Sequence, residues 1–129
     1  MKIALVLAST VLVGTPVAIA QMAPPVPVTA SQFANGTIGQ AVTLAVRVEG
    51  FARTQLDADL LERITDSRYR ATRTHVAIYL APDTPFVMGS IGDLKRGAIL
   101  FVYGVITGAA RADAKRVIVV TPYATVERS

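Results

Sequence analysis

From residue 42 to residue 49 the chain alternates without a break. Val42, Leu44, Val46 and Val48 hold one phase, and Thr43, Ala45, Arg47 and Glu49 the other. Successive side chains of an extended strand point to opposite faces, so this period of two predicts a half-buried antiparallel strand. Gly50 permits a bend near its end. The alternation returns at Val76, Ile78 and Leu80 against His75, Ala77 and Tyr79, and Pro82 stops it. A short strand is expected around Phe86 to Met88. Residues 98–107, AILFVYGVIT, are apolar on both phases, which predicts a strand covered on both faces. Residues 110–116, ARADAKR, read as a polar hairpin connection, and 117–127, VIVVTPYATVE, as a last strand broken by Pro122.

Residues 54–67, TQLDADLLERITDS, follow a different period. Leu56, Leu60, Leu61 and Ile64 fall at helical spacing, and Thr54 with Asp57 resembles a capping box, so a short amphipathic helix is expected. A strand or an irregular loop is the alternative. About five strands and one short helix, with turn signals between them, predict a mainly β fold. A sheet this small exposes its edges unless it closes, so a small antiparallel barrel is the expected architecture.

Residues 83–104, DTPFVMGSIGDLKRGAILFVYG, carry a resemblance. Thr84 and Pro85 follow one strand, Leu94, Lys95 and Gly97 form a Leu-Lys-x-Gly turn, and Val102 and Gly104 end an alternating strand. With residues 116–126, RVIVVTPYATV, as a final strand, the segment resembles OB-like barrel domains of exported bacterial proteins of unknown function. The resemblance spans residues 83–126 and implies a fold more than a function. It places a helix between the third and fourth strands, whereas the residue periods place it after the first. Gly97 is expected to supply a positive φ in the turn, and Gly104 to let its strand coil.

The N-terminus alters the picture. Lys2 precedes an apolar run that ends in Ala18-Ile19-Ala20, the pattern of a secretory signal peptide over residues 1–20. Residues 21–39, rich in Pro, Gly and small residues, read as a flexible linker, and residues 40–129 as the barrel domain. No later stretch is long enough to span a bilayer. Cleavage leaves 109 of the 129 residues, with 12 basic against 9 acidic side chains, a net charge of +3. That mild excess, together with export, argues against nucleic acid as a partner. There is no cysteine, so an exported domain must hold together by burial alone.

The search for chemistry finds little. His75 is the single histidine and no cysteine accompanies it, which leaves no structural zinc site and no cofactor to expect. No nucleophile, base and acid assemble from the sequence, so the protein is not expected to be an enzyme. Asp57, Asp59 and Glu62 read as the solvated face of the helix. The densest basic run holds the candidate binding residues Arg68, Tyr69, Arg70 and Arg73, cations interleaved with a ring able to stack. The expected function is a periplasmic or secreted, non-enzymatic binding module for an anionic polymer, an oligosaccharide or an envelope protein. The alternative is a structural component that pairs through a barrel edge.

The signal-peptide reading fixes the mature terminus. Ala18 and Ala20 fit the small-residue cleavage positions, so mass spectrometry of the exported protein is expected to find Gln21 first; a retained Met1 would reverse the assignment.

Overall fold

The computed structural model describes residues 26–121 and 124–127. The expected signal peptide, residues 21–25 of the expected linker, Pro122, Tyr123 and residues 128–129 lie outside the described residues. One short helix, α1 (Ala30–Ala34), precedes seven strands: β1 (Ala41–Ala52), β2 (Gln55–Arg63), β3 (Arg68–Tyr79), β4 (Phe86–Met88), β5 (Ile99–Gly108), β6 (Arg111–Val119) and β7 (Thr125–Glu127).

Five of these strands close a ring. β1 lies between β2 and β5, β2 pairs with β3, and β5 pairs with β6, all antiparallel. A parallel ladder between β3 and β6 completes the circuit through Ala77 with Arg111, Ile78 with Ala112 and Tyr79 with Asp113. This is the small closed Greek-key arrangement of an OB-like barrel. β4 adds to the outer edge of β6, and β7 adds to β3. Inside sits one core, built from the inward phases Val42–Leu44–Val46–Val48, Leu56–Ala58–Leu60, Val76–Ile78, Leu100–Val102–Ile106 and Ala112–Ala114.

The expected count of five strands matches the ring, but its membership differs. The stretch predicted as a helix is strand β2. Leu56, Ala58 and Leu60 alternate inward at a period of two, and Leu61 points outward. Leu61 is nonetheless buried, in a second cluster with Ala45, Tyr69 and Ile99 that Val120, Ala124 and Val126 pack against. A strand buried on both faces over two consecutive residues imitates helical spacing. The expected polar connection at 110–116 is likewise mostly strand: the reversal occupies residues 108–111, and Ala112 and Ala114 enter the core.

The expected linker also needs correction from residue 26 onward. The Val28 N–H donates to Thr43 O at 2.9 Å, and Val28 and Phe33 join the core. α1 is held by a capping box between Thr29 and Gln32, and the Ala30 N–H donates to Glu62 Oε2 at 3.0 Å. Neither helix position foreseen is occupied. Between β3 and β5 the chain instead makes β4, one 3₁₀ turn over Ile91–Asp93, and a reversal at Gly97. Leu94 plugs the core there, and the Gly97 N–H donates to Val48 O at 2.8 Å.

Gly97 has the role expected of it, and Gly104 is needed for close approach of backbone. Gly97 has φ +92, a left-handed conformation that costs side-chain-bearing residues strain. Gly104 lies at a register shift where β5 pairs with β6 so closely that an added Cβ would strike the carbonyl of Asp113. Backbone cannot move aside as a side-chain tip can. Gly104→Val is therefore expected to cost about 3 kcal/mol, and Gly97→Ala about 1 kcal/mol, read by chemical denaturation. Equal losses would mean that the β6 backbone does not approach Gly104 this closely. Gly36, read as linker, packs against Ile106 and Phe33, so Gly36→Val is not expected to be neutral.

Candidate functional site

The basic run does not assemble as a site. Tyr69 is 1% exposed and lies in the second cluster, edge-on to Phe101 with ring centroids 5.8 Å apart. It cannot stack on a ligand. Arg68 forms an ion pair with Glu127, and Arg70 sits in register between Glu62 of β2 and Glu127 of β7. Arg73 is exposed in the irregular stretch of β3, where the register against β2 shifts between Asp59 and Leu61. Carboxylates thus neutralise the start of β3, and its ring is spent on packing.

A different group converges on the outer face of β2 and β3. The outward row across the sheet runs Arg47, Asp59, His75 on β1, β2 and β3. Asp59 is largely buried, at 12% side-chain exposure, with Arg47 Nη2 at 3.5 Å from Oδ2 and His75 Nδ1 at 2.6 Å from Oδ1. No donor meets Oδ1 in hydrogen-bond geometry despite that distance. The imidazole contact is close but lacks hydrogen-bond alignment. His75 itself is 80% exposed.

Beside this row lies an open groove of about 520 Å³. One bank carries Glu49 of β1 and Asp57 of β2; the other is the β5–β6 turn, Ala109–Ala110, with Arg111 at the start of β6. Ala58, Val76 and Ala77 form the floor, and His75 stands at its side. A smaller hollow of about 130 Å³ on the far side of Arg111 shares Ala77 and Arg111 with the groove and is edged by Gln55, Tyr79 and Asp113. The two make a trough running from His75 to Tyr79.

The banks are held rigidly. The Ala77 N–H donates to Ala110 O at 2.9 Å and the Leu80 N–H to Thr54 O at 2.7 Å, tying both neighbouring turns to β3. Ala110 at φ 54 and Arg53 at φ 59 are the non-glycine residues with positive φ among those described. Both lie in these turns, and left-handed backbone at such residues costs about 1–3 kcal/mol and persists where surrounding structure enforces it. Asp57 accepts from Gln55 Nε2 at 2.8 Å, and Glu49 lies 3.9 Å from Arg96.

Sequence reasoning placed Asp57 and Asp59 on a solvated helix and left His75 without a partner. The usable signal was the period of two through Leu56, Ala58 and Leu60, which sets both aspartates on one strand face beside His75. Arg111 carried no such signal, because only the parallel closure brings it beside Ala77. Among the described residues no group of three His, Cys, Asp or Glu side chains could hold a metal ion, and no helix is long and apolar enough to cross a membrane.

No protein-family profile and no curated protein matches the chain. Among solved structures it is similar to one described as U. maydis Replication protein A bound to ssDNA, at 19% identity and TM-score 0.49, over 76% of this chain and 75% of that one. This finding corrects the expectation that set nucleic acid aside as a partner: the similar chain is by its description bound to ssDNA, and that exclusion is withdrawn.

The placement of Tyr69 generates a test. Tyr69→Ala removes a buried ring and is expected to destabilise by about 3–5 kcal/mol, whereas Arg68→Ala costs less than about 1 kcal/mol, by denaturant titration. Burial pushes the Tyr69 phenol above its usual 10.0, with Arg63 opposing and Asp66 adding to the shift. The folded state keeps this proton where the unfolded chain has released it. The resulting stability is intact below pH 10.0 and falls as pH rises past it, a loss that Tyr69→Phe is expected to lessen. Parallel pH profiles for the two proteins would refute the buried phenol.

Proposed function

We propose that this domain is a non-catalytic binding module whose ligand lies in the trough on the outer face of β2 and β3, between the Glu49–Asp57 bank and the β5–β6 turn. The observation that carries this reading is the convergence, over an alanine floor, of carboxylate, imidazole and guanidinium groups from four strands and two rigid turns. Concave sites with a few fixed polar groups are where small ligands bind. On OB-like barrels the second and third strands, with their adjoining loops, form the ligand face. The earlier candidates are set aside: Tyr69 is spent on packing, Arg68 is paired with Glu127, Arg70 lies between two glutamates, and Arg73 is left as a lone exposed cation. Pairing through a barrel edge has little support: the ring is closed, and β4 and β7 are three residues each. The reading keeps export as the setting in which the module works.

Amide chemical-shift mapping tests it with a panel of trialanine, cellohexaose, a heparin fragment and an oligothymidylate. At least one probe is expected to move the amides of Ala77, Ala110 and Arg111, and Arg111→Ala to weaken that binding about tenfold. Shifts confined to Arg68, Arg70 and Arg73, or none from any probe, would overturn the groove as the binding site.

A further inference from the structure

The charges of the groove are sorted by bank, and the sorting narrows the ligand. Glu49 and Asp57 stand on the β1–β2 side. Arg111 is, among the described residues, the one charged residue lining the groove on the β6 side, with Asp113 facing the smaller hollow beyond it. Asp57, Ala77 and Arg111 share one register row, so two inter-strand spacings separate the opposite charges. Strands pair about 4.8 Å apart, which puts the banks about 10 Å from one another. The floor between them, Ala77 with Ala110 at its rim, is small and uncharged. A single charge of either sign would satisfy one bank and leave the other unanswered. An α-amino acid has both charges but is too short to reach across.

An extended chain advances about 3.3–3.6 Å per residue, so three residues span the gap. We infer that the groove takes a short extended zwitterion of tripeptide size, its ammonium toward Glu49 and Asp57 and its carboxylate toward Arg111. The inference rests on the binding reading above and names its ligand class. His75 turns Nδ1 toward Asp59, which leaves Nε2 for the peptide groups crossing the floor. The Asp59 oxygen that lacks an aligned donor gains one when the ring rotates to meet such a ligand. Guanidinium and carboxylate form the paired, charge-assisted contact that fixes the C-terminal end.

Isothermal titration calorimetry with trialanine, N-acetyl-trialanine, trialanine amide and free alanine reads the two ends separately. Trialanine is expected to bind, with each blocked form and free alanine at least tenfold weaker. Asp57→Asn is expected to reduce the penalty for acetylation, with Glu49 holding the remainder, and Arg111→Ala to erase the penalty for amidation, each leaving the other penalty in place. Arg111→Lys keeps the charge and is expected to retain much of the preference for a free carboxylate, which guards against a variant that simply misfolds. Equal binding of free and blocked peptides would overturn the inference. Occupation of the groove by cellohexaose or oligothymidylate but not by trialanine would also overturn it, while leaving the binding reading intact. A groove that no probe perturbs removes both.

Discussion

Three residue pairs of parallel ladder, joining β3 to β6, decide what the rest of this molecule can be. Antiparallel hairpins alone would leave a curled sheet with two open edges and its core open to water along the seam. The closure seals Ile78 and Ala112 at 0% and 1% exposure and gives the core its fifth wall. Parallel pairing is slightly less stable per residue, and here it joins segments far apart in the chain, so local sequence cannot drive it. It is held by the hydrogen bond from the Ala77 N–H to Ala110 O and by the apolar residues on its inner side. The same ladder sets Arg111 beside Ala77, so the seam of the barrel and the far bank of the groove are one feature.

The second cluster extends the burial to the outside of the wall. Ala45, Leu61, Tyr69 and Ile99 are outward-facing residues of four different strands, and in a bare barrel they would meet solvent. Val120, Ala124 and Val126 pack over them, and β7 pairs with the start of β3. A domain without disulfides gains stability this way, since one small core seldom supplies enough. The N-terminal segment adds to the inner core instead, through Val28 and Phe33.

Charge on the surface divides accordingly. At the start of β3, arginines and glutamates face each other across paired strands, and their charges are spent on one another. Further along the same strand, opposite charges are held two strands apart with alanines between them. Near-contact pairs at a surface contribute little and attract little. Separated charges on rigid elements remain available to a ligand, and the left-handed residues of the two adjoining turns show backbone held in place at some cost.

Residue period and glycine chemistry determined the β class, the inward phases of β1 and β3 and the left-handed turn at Gly97, because each depends on near neighbours along the chain. The candidate site was only partly legible: Asp57, Asp59 and His75 lay within reach of a strand reading, and the paired leucines at 60 and 61 concealed it. Tertiary structure decided that Leu61 and Tyr69 are buried from outside, that Arg68 and Arg70 face carboxylates, and that Arg111 stands across from Asp57. Those outcomes depend on which distant strand lies alongside, a choice made by closing the barrel over its core and not by any short stretch of residues.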